Sequence, residues 1–154
     1  MMMELLKTAV KQPLKVNQLQ LSAAFTPSFE AGFHVNMEGP KAAVRDGSVF
    51  EYCRLTDTVI QAWSVLQHGY FKGNFVGKEE FAALNHVLNN LAKKYQVTPT
   101  AIALAWVLRY PGKMQSVIGT TKPQHVLEAG KATTVTLTRK EWYQIYLAAG
   151  NDLP

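Results

Sequence analysis

The chain has 154 residues, of which 47% are hydrophobic and 18% charged, and its net charge is +5. This composition is typical of one globular domain and excludes a disordered chain. The longest apolar run, residues 101–108, is too short to cross a bilayer, which takes roughly 20 residues. With one cysteine, no apolar leader and scattered basic residues, we expect a single cytoplasmic domain over residues 1–154. We expect neither a membrane nor a nucleic acid as its partner.

The first half of the chain predicts two strands between helical segments. An apolar stripe at helical spacing opens the chain and is closed by Pro13. Residues 15–21 read as a short strand, and residues 23–47, which include Gly39 and Pro40, as a long surface loop. A short helix over 49–55 then precedes a β-branched, apolar strand over 58–63.

The second half predicts one more strand among clear helices. After a glycine-containing loop over 64–77, apolar residues at alternating spacings of three and four predict a helix over 81–95. Thr98 and Pro99 form a strong helix start, and Thr138 with Glu141 has the pattern of a capping box. A strand over 114–118 and a helix from Pro123 lie between them. Three strands that alternate with helices predict an α/β fold with a parallel sheet.

Ligands of parallel α/β folds bind where strands end and helices begin, and three such places exist here. After the third strand, Gly119 to Lys122 precede a helix whose N-terminus attracts phosphate, although Thr121 could serve only as its cap. Trp63 ends the second strand and is either a stacking surface for a flat ring or a core residue. The amides of the first strand, Gln18 among them, reach either a ligand or neighbouring backbone.

No other constellation indicates catalysis or metal binding. The four histidines show no spacing typical of metal ligands, so we expect no metal. Cys53 lies on a predicted helix without a neighbouring histidine and is expected to be packed rather than nucleophilic. Ser64 lacks the glycine-flanked motif of the hydrolase nucleophile.

Several segments carry a resemblance that covers nearly the whole chain. They are residues 16–22 (VNQLQLS), 60–66 (IQAWSVL), 91–95 (LAKKY), Pro99 with 101–109 (AIALAWVLR), and 117–123 (VIGTTKP). In this order and spacing, the chain resembles the C-terminal half of a bacterial aldo-keto reductase. That family folds as a (β/α)8 TIM barrel and reduces carbonyl substrates with NADPH or, less often, NADH. The resemblance therefore implies a partial barrel in which the three strands are the sixth, seventh and eighth.

The resemblance also implies which residues would bind the cofactor, NADP, with NAD as the alternative. Gln18 matches the glutamine that binds the nicotinamide carboxamide, and Trp63 the aromatic residue that stacks on the nicotinamide ring. Ser64 and Leu66 match the pyrophosphate loop. The adenosine-phosphate end corresponds to Gly119, Thr120 and Thr121, with Lys122 beside them, His125 in the place of an arginine for the 2′-phosphate, and Glu128 near the adenine contact.

The chain departs from the family pattern in ways that bear on function. Val65 and Gln67 replace a proline and a glycine, and His125 is a weaker phosphate partner than arginine. The strands that bear the family's catalytic Asp, Tyr, Lys and His have no counterpart, so we expect no catalytic residue and no activity from this chain alone. Three hypotheses follow: a truncated reductase half, a non-enzymic half-barrel that binds dinucleotide weakly, and a decayed gene fragment. Unpaired strand edges favour a homo-oligomer or a complementary N-terminal half as the partner.

Overall fold

The computed structural model describes residues 2–38, 46–69 and 72–154. In chain order they form α1 (Met2–Ala9), β1 (Val16–Gln20), α2 (Pro27–Phe33), α3 (Ser48–Leu55), β2 (Val59–Trp63), α4 (Ala82–Tyr95), α5 (Pro99–Leu108), β3 (Met114–Ser116), α6 (Pro123–Gly130) and α7 (Arg139–Ala148). Short 3-10 turns follow α2 and α6 and precede α4. None of the helices in these ranges has the length and apolar character required to cross a membrane.

The three strands form one open parallel sheet in the order β1-β2-β3, as the alternation of strands and helices predicts. In its register, Gln18 lies beside Gln61, and Gln61 lies beside Gln115. Since side chains alternate along a strand, these three glutamines share one face of the sheet. The other face carries Ile60 and Ala62, which are buried against the helices.

The helical starts read from the sequence are confirmed where side chains cap them. The Thr98 hydroxyl accepts a hydrogen bond from the Ala101 N–H at 3.2 Å, and Pro99 opens α5. At α7 the complete capping box forms between Thr138 and Glu141. Cys53 is buried, as expected for a packed cysteine.

The prediction of a continuous loop over residues 23–47 was wrong. Residues 27–33 form α2, which opens on Pro27 and buries Phe29 and Ala31. The Phe29 ring lies among those of Phe50, Trp106, Trp142 and Tyr146, at centroid distances of 5.9 to 6.1 Å. Aromatic packing against distant elements therefore overrides a local sequence rich in breakers. Gly39 and Pro40 lie outside the described residues.

Candidate functional site

A cleft of about 480 Å³ lies where β2 and β3 end and α6 begins. This volume is within the usual range of small-molecule sites. The residues that line it are Trp63, Ser64, Val65, Leu66, Gln67, Asn74, Thr100, Leu104, Val117, Ile118, Gly119, Thr120, His125, Glu128 and Ala129. Its position at the carboxyl ends of parallel strands is the one that ligands of α/β folds occupy.

The wall on the β2 side is a tight, anchored turn. Trp63 is half-buried at the end of the strand, and Ser64 adopts a left-handed backbone conformation with φ of 53°. Non-glycine residues with such a backbone are uncommon and concentrate at functional sites. The Ser64 hydroxyl donates to Gln67 Oε1 at 2.9 Å, and the Ser22 hydroxyl donates to the Gln67 carbonyl at 2.6 Å. These bonds hold the loop after β2 against the end of β1.

The opposite wall is the junction between β3 and α6. Gly119 lies there with no atom within 4 Å of the place where a Cβ would stand, so a ligand could approach its backbone closely. The Thr120 hydroxyl accepts from the Lys122 N–H at 3.2 Å and lies 3.3 Å from His125 Nδ1. The N-cap of α6 is Lys122, and no side chain caps this helix. The interpretation of Thr121 as a helix cap was therefore wrong, because the N-cap position is one residue later, at Lys122. The Thr120 hydroxyl stabilises the turn before the helix by accepting from the Lys122 N–H.

The structure brings most of the predicted cofactor residues into one place. Seven of them line the cleft: Trp63, Ser64, Leu66, Gly119, Thr120, His125 and Glu128. Thr121 and Lys122 are exposed in the adjoining turn and do not line it. Gln18 also lies apart from the cleft, on the open face of the sheet.

Sequence reasoning missed two polar residues of the cleft. Asn74 lies in the loop after β2, where an isolated bridge pairs it with Gln67, and Thr100 lies in the first turn of α5. A Gly-Asn pair such as Gly73-Asn74 indicates a turn but no ligand. Thr100 follows the helix start formed by Thr98 and Pro99, so its position in the sequence indicates only the first turn of a helix.

The three glutamines on the open sheet face are joined by hydrogen bonds. Gln18 Nε2 donates to Gln61 Oε1 at 2.9 Å, and Gln61 Nε2 donates to Gln115 Oε1 at 2.7 Å. We call this row the glutamine ladder. Gln61 is half-buried at its centre, and Gln18 and Gln115 are exposed at its ends. On the same face, the neighbouring pairs in the register of β1 and β2 are Val16 with Val59 on one side and Gln20 with Trp63 on the other. The ladder is therefore next to the tryptophan of the cleft along the strands.

The described tyrosines lie outside the cleft and so give it no proton donor. Of the five in the described residues, Tyr52, Tyr95, Tyr110, Tyr143 and Tyr146, none lines it. Burial raises the pKa of Tyr146, with a further contribution from the charge of Glu30, and its hydroxyl has no hydrogen-bond partner among the described residues. A tyrosine of raised pKa is a poor acid. Tyr70 lies outside the described residues.

Comparison with known proteins gives one consistent match. Residues 6–148 match the model of the aldo/keto reductase family. The 6-dehydroglucose reductase of Agrobacterium fabrum is 31% identical over 151 residues, which cover 97% of this chain and 43% of that protein. Oxidoreductase YdhF of Escherichia coli is 33% identical over 95 residues, which cover 60% of this chain and 30% of that protein.

Solved structures agree on the fold. The aldose reductase of Giardia lamblia superposes with a TM-score of 0.63 at 18% identity, covering 99% of this chain and 42% of that one. Gox0644 in complex with NADPH gives a TM-score of 0.59 at 16% identity, covering 94% and 42%. The chain thus spans less than half the length of the relatives it matches, and its open three-stranded sheet corresponds to part of their barrel.

Proposed function

Because this chain belongs to the aldo/keto reductase family, we propose that it is the cofactor-binding part of an NADP-dependent carbonyl reductase. The observation that carries the proposal is the cleft itself, which joins the strand-end Trp63 to the uncapped start of α6. An aromatic face at one end and a helix N-terminus at the other suit a dinucleotide, whose flat ring and phosphates are far apart.

The donor set of the cleft fits such a ligand. Thr120, Ser64 and Thr100 present hydroxyls, Asn74 presents an amide, and Glu128 is the one carboxylate among the lining residues. We assign the adenosine-phosphate end to Gly119, Thr120 and His125, with the exposed Lys122 and Thr121 approaching from the adjoining turn. Ser64 and Leu66 would hold the pyrophosphate, and Glu128 would lie near the adenosine.

The nicotinamide end is assigned to Trp63 and Gln18. The half-buried indole can stack on the ring. On the neighbouring strand β1, Gln20 pairs with Trp63, and Gln18 lies two residues before Gln20. From there the Gln18 amide can hold the carboxamide. When bound, the cofactor supplies a hydride to a carbonyl carbon. The described residues of this chain would bind and orient it, and none of the described tyrosines lines the cleft as an acid for the carbonyl oxygen.

The binding site of the carbonyl substrate and the proton donor are therefore assigned to a complementary N-terminal half, and a homo-oligomer is the alternative associated form. Both outer edges of the sheet are free within the described residues, and its glutamine face is open, so an associated form is expected. The alternative is a non-enzymic half-barrel that binds dinucleotide without turnover. His125 leaves NAD open as the alternative cofactor, because an imidazole discriminates less for the 2′-phosphate than a guanidinium, which can form two parallel hydrogen bonds to it.

Calorimetric titration with NADPH and with 2′,5′-ADP tests the assignment. The phosphate end comes from one strand–helix junction and does not depend on distant strands, so 2′,5′-ADP should bind nearly as well as NADPH. His125→Ala should weaken the binding of 2′,5′-ADP, whereas His86→Ala, which removes an exposed histidine on α4, should leave it unchanged. Binding of 2′,5′-ADP that is indifferent to His125→Ala would show that the assignment is wrong.

A further inference from the structure

We propose that the glutamine ladder sets which atom of the Gln18 amide faces the cofactor, and thereby selects a pyridine ring that carries a carboxamide over one that carries a carboxylate. Gln61 and Gln115 then act as positioning residues. The inference rests on the proposed function, because it takes Gln18 as a nicotinamide contact. Gln61 and Gln115 themselves touch no ligand, and the ring that carries a carboxylate is the ligand that they exclude.

The direction of the hydrogen bonds in the ladder carries the argument. Gln18 donates through Nε2 to Gln61, which leaves Gln18 Oε1 as the free atom of that amide within the described part of the chain. Gln61 is fixed in turn because its own Nε2 donates to Gln115 Oε1. An amide can rotate by half a turn and exchange its donor and acceptor, so the three side chains must rotate together or lose a bond. The orientation of the Gln115 amide on β3 therefore fixes the orientation of the Gln18 amide on β1, and we call this coupling the relay.

The free Oε1 of Gln18 distinguishes two closely related rings. A carboxamide donates an N–H to it, whereas a carboxylate has only acceptors and is repelled. If the ladder ran in the opposite direction, Gln18 would present Nε2, and both rings could accept a hydrogen bond from it. The discrimination should amount to about tenfold in affinity, the size of one net hydrogen bond.

Substitutions of Gln115, two strands away from Gln18, can keep or reverse the direction of the hydrogen bonds in the ladder. In Gln115→Glu the carboxylate still accepts from Gln61 Nε2, so the direction of the ladder is kept. In Gln115→Lys the ammonium donates to Gln61 Oε1, so Gln61 turns and donates to Gln18, and Gln18 presents its own Nε2 outward. Gln115 is exposed, so neither substitution creates a buried charge.

Charge alone could attract a carboxylate, and Val16→Lys controls for it. Val16 is 42% exposed and lies two residues before Gln18 on the same strand and face. That spacing is about 6.6 Å, whereas two strand spacings separate Gln18 from Gln115 by about 9.6 Å. The control therefore places its charge closer to Gln18 without touching the ladder.

The experiment measures the affinities of the full chain for NADP⁺ and for its nicotinic acid analogue. We expect a preference for NADP⁺ of about tenfold in the unsubstituted protein and in Gln115→Glu, near parity in Gln115→Lys, and a retained preference in Val16→Lys. Equal preferences in Gln115→Glu and Gln115→Lys, or parity in Val16→Lys, would overturn the relay.

A second readout separates the ladder from the proposed function. In ¹⁵N-edited NMR without ligand, Gln61→Leu should move the side-chain amide signals of both Gln18 and Gln115 toward those of solvated glutamine. Unmoved signals would show that the ladder does not form in solution. If neither dinucleotide binds, the proposed function fails and the selectivity fails with it, while the amide signals still decide whether the ladder exists.

Discussion

Glu141 joins α4 to α7 and makes the fold sensitive to acid. Its carboxylate accepts from Lys94 Nζ at 2.5 Å, from the Tyr95 hydroxyl at 2.8 Å, and from the Thr138 N–H and hydroxyl, each at 2.8 Å. Burial by itself raises the pKa of Glu141, but these hydrogen bonds outweigh it and lower the pKa from 4.5 to about 2. The charged form is thus favoured by the folded state.

The sign and size of the effect follow from that difference. Since the folded pKa lies below the unfolded one, the stabilisation is complete above pH 4.5 and is lost as the pH falls toward 2. At 1.36 kcal/mol for each pH unit, the carboxylate contributes at most about 3 kcal/mol. That is a large share of the free energy of unfolding of an ordinary domain.

Urea unfolding at pH 7 and pH 3 measures the contribution. We expect Glu141→Gln to lower the free energy of unfolding at pH 7 by up to about 3 kcal/mol and to lessen the loss of stability between pH 7 and pH 3. Glu51→Gln is the matched control, because Glu51 is exposed and pairs only with Arg54 among the described residues. An identical dependence on pH in the unsubstituted protein and in Glu141→Gln would refute the reasoning.

Three further outcomes are expected. Thr98→Ala should lower the free energy of unfolding by about 1 kcal/mol, since it removes the cap on the Ala101 N–H; no change in the urea midpoint would contradict this. The isolated chain should reduce neither aldehydes nor diketones with NADPH; turnover that Trp63→Ala abolishes would show that a proton donor is present after all. Light scattering should give a mass above that of the 17.1 kDa monomer, because the sheet edges are open, and a stable monomer at high concentration would exclude self-association.

Local chemistry made much of the fold predictable. The caps of α5 and α7 and the three strands depend on neighbours in the sequence, and each lies close to where the spacing of residues puts it. By contrast, α2 depends on the burial of Phe29 against Trp106 and Trp142, which are far away in the chain. The residues around Phe29 in the sequence do not indicate that contact, so α2 could not be predicted from them.

The candidate site divides in the same way. The strand ends and the family resemblance were sufficient to nominate Trp63 and Gly119, and the cleft contains both. The glutamine ladder was not predictable. Gln61 and Gln115 are 54 residues apart in the sequence, and only the pairing of β2 with β3 makes them neighbours. Asn74 and Thr100 enter the cleft for a similar reason: separate loops bring them there.

Tryptophan fluorescence on addition of NADP⁺, which does not absorb the emitted light, tests the central claim, that this cleft binds the cofactor, most directly. Trp63 is half-buried at the cleft, whereas Trp106 and Trp142 are buried and stacked on each other at a centroid distance of 4.8 Å. We predict saturable quenching of the intrinsic fluorescence that is largely lost in Trp63→Phe, with the emission of the buried pair unaffected. Quenching of equal depth in Trp63→Phe, or none at millimolar NADP⁺, would contradict the claim.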